Sequence, residues 1–539
     1  MSKKLKFSDN LLSQSWLDKT ISYFSPEKGL KRLEARARLS VAGGYVGARR
    51  DRRQTKSWDI SDGSADNVTL PDLPALRERS RDLIRNAPLA CGAVNTVVTN
   101  VVGTGLKVQS HIDREVLTPF FKDESEFDKF ERNAERIFRN WAENTDCDIT
   151  RSQTFSEIQN LILRSVLESG DIFIIKRTVP RSNKLIDLSL QLVEADRVAN
   201  PQYNQNTDKL IAGVEVDKNG APIAYHICNQ HPDDPHLDGY QSEKSKKYVK
   251  IPAFDKYDNR QVFHIFNRIR PGLTRGVPYL APVIESLKQL DRYTEAEIMS
   301  AVISAMFTVF VKSEDEEGLA PMTPLDEVGG SRNDGDYKLA PGAILDLQPN
   351  ENIEIADPKR PNQAFDPFVQ AILRQVGVAL ELPFEILIKH FTASYSAAQA
   401  ALVEAWKFFS SRRSWLATQL CHPVYEMVIS EAIAKGLLKA PGFFNNPIIK
   451  NAYLGAQWIG PPRGQIDQLK EVKAAELRVN MGISTLAEET AILTGGDWER
   501  KYPQILKETS LKLDTLEKLH RVQNENSVAN GKLKNETDE

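Results

Sequence analysis

Only four of the 539 residues are cysteine, and Cys91, Cys147, Cys228 and Cys421 lie far apart with no CxxC pair among them. That spacing argues against a zinc ribbon or a disulfide framework and suits a reducing cytoplasm. Long apolar runs are missing as well. The most apolar stretch, Ile298–Val311, falls short of the ~18 residues a membrane span needs. The opening MSKKLKFSDN lacks the apolar core of a secretory signal, and no membrane partner is expected.

Net charge is nearly absent too: 70 Lys and Arg stand against 73 Asp and Glu, a formal balance of −3. A protein that grips a nucleic-acid backbone by charge is clearly basic, and this one is not. The motifs of common chemistries are also lacking. Without GxxxxGK[ST] the chain is not expected to be a nucleotide-driven motor, and HExxH and G-x-S-x-G are absent. Gly103-Thr104-Gly105 follows a helix rather than a strand, so it reads as a helix cap and turn, not a phosphate loop. His226, Cys228, His231 and His236 come nearest to a metal set, but their spacing matches no familiar site and they read as ordinary strand and loop residues. The pairs Asp233-Asp234 and Glu488-Glu489 read as solvated faces. Neither an enzyme nor a cofactor or metal is expected.

What is present is an ordinary globular composition, 41% hydrophobic and 27% charged, on a chain long enough for several cores. Charge is unevenly spread. Residues 1–60 hold 14 Lys/Arg against 6 Asp/Glu, whereas residues 311–361 hold 5 against 12. Either patch reads as solvated surface, or as a docking face for a different partner at each end.

Residues 1–70 read as an arm with a short helix near Lys28–Leu39. A charged helix ending near Asn86 and a second from Pro88 to Gly103 lead into an extended Leu106–Gln109. Glu126–Trp141 is amphipathic through Phe127, Phe130, Ala134, Ile137, Phe138 and Trp141, and Phe155–Leu167 forms another helix. Strands follow at Asp171–Thr178, Leu188–Leu192, Val214–Val216, Ile223–Ile227 and Gln261–Phe266, with a hairpin turn at Asp217–Gly220. Residues 230–258 read as an insertion loop. From Pro278 and Pro282 a helix carries Val283, Leu287, Leu290 and Ile298 on its apolar side. The acidic, Gly- and Pro-rich segment 312–361 holds short strands at Ala343–Leu347 and Asn352–Ile355, and loops this long are usually functional.

Residues 362–413 give a helix, a short loop and a second helix. The first is expected to start at Asp366-Pro367, to carry Phe365, Phe368, Val369, Ile372, Leu373, Val376 and Leu380, and to stop at Leu382-Pro383. The second is expected to begin at Ser396 with Gln399 completing a capping box, and to kink at Pro423. Between them lies a basic and aromatic tip, Lys389, His390, Phe391, Thr392 and Tyr395, whose two cations could meet phosphates and whose rings are expected to brace neighbouring helices. The apolar faces of the helices around 283–307 and 365–380 are broader than a lone hairpin should expose, which points to a multi-subunit assembly.

Four stretches resemble the lambda-type family of phage portal proteins. They are RDLIRNAPLACGAVNT with VVGTGLKVQ; GVPYLAP with the following EAE…ISA run; the helix–loop–helix; and Trp458-Ile459-Gly460, Arg463-Gly464, Asp467, Gly482-Ile483-Ser484-Thr485 and Asp497-Trp498-Glu499. Gln468 stands where a proline is usual, and His390 where many relatives carry an acid. The resemblance covers about residues 70–510. It implies an α+β, predominantly helical portal fold of wing, stem, clip and crown that assembles into a ring. By its pattern residues 1–70 are a basic arm, 71–270 the wing, 271–311 the first stem helix, 312–361 the clip and 362–381 the second stem helix. Residues 382–396 are then the tunnel loop, 397–460 the long kinked helix and return to the wing, 461–510 the crown and 511–539 a charged tail.

The implied role is a dodecameric conduit at one capsid vertex that passes double-stranded DNA without reading its sequence. The implied partners are the large terminase subunit, major capsid and scaffold proteins, and head-completion or adaptor proteins, in the host cytoplasm during assembly and then in the virion. Lys389, His390, Phe391, Thr392 and Tyr395 become the candidate channel loop. Asp315, Glu316 and Glu317 become the motor or adaptor docking face, and Leu287, Leu290, Leu373 and Val376 the stem packing. A metal-dependent nuclease or maturation protease of the packaging apparatus, and a non-viral oligomeric scaffold, are the alternative readings.

Overall fold

In the computed structural model, residues 63–232, 248–305, 309–313, 351–355, 364–391, 394–464 and 467–535 are described, with a few positions between 21 and 31. The chain divides into two units, Met1–Ser64 and Ala65–Glu539. In the first, a few positions between Ile21 and Lys31, mostly helical, are described together with Gly63 and Ser64, so the helix expected over Lys28–Leu39 lies almost wholly outside the described residues. The second unit carries the architecture.

Helices α1 (Leu73–Asn86) and α2 (Pro88–Val101) are separated by Ala87, whose extended backbone is what a following proline demands. Past α2, Gly103 takes a φ of 53° and its N–H donates back to Val98 O at 3.2 Å, the expected cap and turn. Strand β1 (Lys107–Ser110) follows, then α3 (Glu124–Ala142), begun by the Asp123 carboxylate accepting from Glu126 N. All six apolar residues expected to face inward on α3 are buried. Helix α4 (Phe155–Ser169) starts on a capping box between Thr154 and Glu157.

The strands form two main sheets. β2 (Asp171–Thr178) lies between β3 (Leu188–Glu194) and β8 (Val262–Phe266), antiparallel to both. β4 (Leu210–Ile211), β5 (Val214–Val216), β6 (Pro222–Cys228) and β7 (Tyr248–Pro252) form the other, in sequence order. β7 lies inside the segment expected to be an insertion loop; pairing with β6 organises it despite its charge and prolines. Alternation along β2 serves two cores at once. Ile172 and Ile174 join the large helical core, while Phe173 and Ile175 face the second sheet with Tyr225 and Ile227.

Two helices finish strand edges with carboxylates. Glu131 and Glu135, one turn apart on α3, accept from Ile112 N at 3.0 Å and Ser110 N at 2.8 Å. The opposite edge of β1 pairs with β11 (Ala456–Ile459), Val108 facing Trp458. Glu431 does the same for the start of β3, accepting from Leu188 N at 3.1 Å. Such groups cannot be left unpaired when water is excluded.

Helix α5 (Ile284–Ala305) is shorter than expected. Val309–Ser313 is strand β9, which pairs antiparallel with β10 (Glu351–Ile355) rather than extending the helix. A run of Val and Phe fits either helix or strand, and a cross-strand partner decides it. The strand expected at Ala343–Leu347 lies outside the described residues.

Helix α6 (Phe365–Ala379) begins one residue before the expected capping aspartate, because the Asp366 carboxylate accepts from Gln370 Nε2 at 2.6 Å instead of capping. The segment after it contains a further short helix, Phe384–Ile388. Helix α7 (Tyr395–Leu416) is capped by Ser394, not Ser396: the Ser394 hydroxyl accepts from Ala397 N, and Tyr395 therefore belongs to the helix. A π-helical turn, Ala417–Cys421, joins α7 to α8 (His422–Ala434). It stands just before Pro423, which has no N–H to give and crowds the preceding carbonyls. The C-terminal part comprises α9 (Gln468–Asn480), α10 (Leu486–Thr494) and α11 (Trp498–Asn535), the last a single helix through most of the expected tail.

Candidate functional site

The root of α5 is fixed by one buried side chain. Arg275, 2% exposed, sits in the RPGLTRGVPYLAP run that leads into the helix. Its Nε donates to Asp171 Oδ2 at 2.5 Å, Nη1 to Val198 O and Ala212 O at 2.7 Å, and Nη2 to Ala195 O at 2.7 Å. Arg77 of α1 reaches the other Asp171 oxygen at 2.8 Å, and His264 Nε2 lies 3.0 Å from Oδ2. Burial works against the Asp171 charge, yet Arg275 and Arg77 hold its carboxyl far below the usual carboxylate range. Burial in turn pushes His264 down, and its ring lies against those of Phe173 and Phe266. Close passage of the chain here needs glycine twice. A Cβ on Gly276 would lie 2.0 Å from Gly170 O, and one on Gly170 2.3 Å from Gly276 O.

From this root α5 packs on α6 and α1. Leu287, Leu290, Leu373 and Val376 are all buried within the one chain. They are therefore internal packing, not faces left for another subunit. Tyr293 adds ring contacts to Phe365 at 5.5 Å and Phe368 at 5.2 Å. Among the described residues of the pair, the exposed apolar ones are others: Ile298, 58% exposed where an apolar face was expected, with Met299 and Val302 on α5, and Phe368 and Val378 on α6, the last 82% exposed.

Lys389 and His390 stand on the loop between α6 and α7. Lys389 ends the short helix in the left-handed region at φ 56°, and His390 N donates to Glu385 O at 3.1 Å. Both side chains are exposed. Phe391 and Tyr395 are exposed as well, against the expectation that they brace neighbouring helices. The Tyr395 ring instead meets Lys470 Nζ at 5.8 Å. Thr392 lies outside the described residues, as do Asp315, Glu316 and Glu317.

Behind the loop is a cavity of about 290 Å³ between α2 and α7, lined among others by Thr96, Ile386, Phe391, Trp406 and Phe409. Farther along α7, Arg413 ties that helix to the end of α2. Arg413 Nε and Nη2 donate to Val101 O at 3.2 Å and Asn100 O at 3.1 Å, and Nη2 also to Pro461 O at 3.0 Å, while the guanidinium lies over Trp406. It thereby caps the carbonyl end of α2. Burial pushes its pKa down to about 10. Gly460 passes so close that an added Cβ would lie 2.4 Å from Arg413 Nε, which gives the glycine of the Trp458-Ile459-Gly460 motif a physical reason.

Other groups of titratable residues lie elsewhere among the described residues. Glu194, Asp196 and His231 bring ligand-type atoms within 4.8 Å of one another. Asp196, however, is already paired with Arg77 at 3.2 Å and with Arg81. His226 lies 3.4 Å from Glu215, Cys228 is buried, and His236 and the Asp233-Asp234 pair are outside the described residues. Glu489 is not solvated as its sequence context suggested: it is buried, with both oxygens held by Arg478 at 2.7 Å. Arg275, Arg413 and Glu135 were not singled out in the sequence; the glycines beside the first two were the available signal.

The sequence model of the lambda family of phage portal proteins matches residues 51–413. Portal protein B of Escherichia phage lambda is 25% identical over 480 residues, covering 85% of this chain and 87% of that protein. The portal protein of Escherichia phage N15 is 25% identical over 487 residues, 87% of this chain and 88% of its own. Among solved structures, a chain from the virion of a native gene transfer agent particle is 12% identical, covers 78% of this chain and 92% of its own, and superposes with a TM-score of 0.40.

Proposed function

The chain belongs to the lambda family of phage portal proteins, and from that premise we propose that it is one subunit of a dodecameric ring through which double-stranded DNA enters and leaves the capsid. In this reading α5 and α6 are the stem, the β9–β10 ribbon the root of the clip, and the exposed Lys389–His390 tip the channel loop. The clip, with Asp315, Glu316 and Glu317, docks the large terminase subunit and later the head-completion proteins. Residues 71–270 meet capsid and scaffold proteins as the wing. Assembly takes place in the host cytoplasm, and the ring ends in the virion.

The observation that carries the assembly is the uncovered apolar surface of the stem pair, above all Val378 and Ile298. A helix apolar beyond its buried face needs a neighbour. Light scattering on Ile298→Asp with Val378→Asp tests it: the expected result is a fall from ring mass to small, folded species. Rings of wild-type mass would overturn the assignment of these faces. Leu373→Asp is the contrast, because that site is internal and the variant should lose thermal stability in the monomer itself.

A further inference from the structure

The cavity of about 290 Å³ behind the α6–α7 loop is walled by segments distant in sequence: α2, residues of the 386–391 stretch, α7 and Arg463-Gly464. Three lining side chains are aromatic, Phe391, Trp406 and Phe409. Phe409 is buried and Trp406 half-buried, whereas Phe391 is exposed. Two lining residues carry charge, and both are cations: Lys389, exposed, and Arg463, half-buried. Among the described residues, no aspartate or glutamate lines the cavity. Its amides are already engaged. Asn95 Oδ1 accepts from Arg164 Nη1 at 2.7 Å, and Asn100 Nδ2 donates to Thr96 O at 2.8 Å.

A concave space with mostly apolar walls and a few polar groups is the usual form of a small-molecule site. Aromatic walls favour a flat ring, which can stack on them or meet them edge to face. Two cations with no acid beside them favour an anion. With the amides occupied, ring shape and charge decide the ligand more than a hydrogen-bond pattern does. We propose that this cavity binds a small planar aromatic ring bearing one anionic group, the ring against Phe391, Trp406 and Phe409 and the anion at Lys389 and Arg463. A ligand held this way touches both the loop and the helices behind it, so its occupancy sets where the loop stands. All the walls belong to one chain, so binding is measurable whether or not rings form.

Isothermal titration calorimetry on the purified full chain tests it with two probes, indoleacetic acid for a free aromatic carboxylate and thymidine monophosphate for a nucleotide. At least one should bind with a Kd of about 1 mM or tighter, the strength that ordinary ligand efficiency gives a molecule of this size. The tighter probe identifies the source of the anion. Lys389→Gln with Arg463→Gln should weaken that binding about fivefold or more, and neutral indole should bind the wild-type chain more weakly than indoleacetic acid does. Thr99 is an exposed lining residue, so Thr99→Trp should fill the space and remove binding at an unchanged thermal midpoint. Binding of neither probe overturns the site. Equal affinity in the charge variant and the wild type overturns the anion preference, and full binding by a folded Thr99→Trp chain places the ligand elsewhere. Rings that form in a chain that binds neither probe leave the ring reading standing.

Discussion

A buried arginine is tolerated when its donors find oxygens, and Arg275 meets that condition with one carboxylate and three carbonyls. Lysine keeps the charge but cannot reach so many acceptors in fixed directions. Arg275→Lys should therefore destabilise the chain by about 3 kcal/mol, read as a lower denaturation midpoint; an unchanged midpoint would show that the clamp is dispensable. Glu135 makes the opposite case. Burial, with Asp497, Glu499 and Glu131 nearby, raises its carboxyl to about 7 against the Ser110 N–H. Its folded value lies above its unfolded one, so the folded state holds the extra proton. The cost of ionising it is absent below the unfolded value and grows as pH rises toward 7. Glu135→Gln keeps an acceptor for Ser110 N and removes that cost. Its unfolding free energy should exceed that of wild type at pH 8 by on the order of 1–2 kcal/mol after solvent screening, read as a higher Tm, and match it near pH 4.5. A pH-independent difference would contradict the assignment.

At the scale of elements, the α6–α7 connection is held from behind and exposed in front. The short helix Phe384–Ile388, with Ile386 and Leu387 buried, fixes its base, while Lys389 and His390 are exposed. In the proposed ring, the exposed Lys389 and His390 of each subunit would give weak, repeated contacts to phosphates without reading sequence. Lys389→Ala with His390→Ala should leave ring mass unchanged and lower the nuclease-protected DNA per particle. Wild-type protection in assembled mutant particles would remove these residues from the channel.

At the scale of the whole molecule, the near balance of charge fits a conduit better than a clamp. A ring that bound many phosphates tightly would hold DNA against movement and would weaken steeply with salt. The two apolar systems left uncovered, on the α5–α6 pair and on α11, lie far apart in the sequence. The proposed ring would cover the exposed residues of the α5–α6 pair, as contiguous apolar patches of this kind mark interaction surfaces.

Local signals in the sequence determined much of this protein: the inward face of α3, the β2–β3 and β5–β6 strands, the Gly103 turn, and the motifs that carry the family resemblance. Periodicity and turn chemistry are short-range properties, so they can be read without knowing what lies opposite. Tertiary structure decided the rest. It made Val309–Ser313 a strand by supplying Glu351–Ile355 as its partner, and moved a helix start by engaging Asp366 with Gln370. It also turned Leu373 and Val376 inward while leaving Val378 outside. Glu135 and Arg413 gained their altered ionisation the same way, since burial and backbone partners brought from distant segments set the energy of a charge.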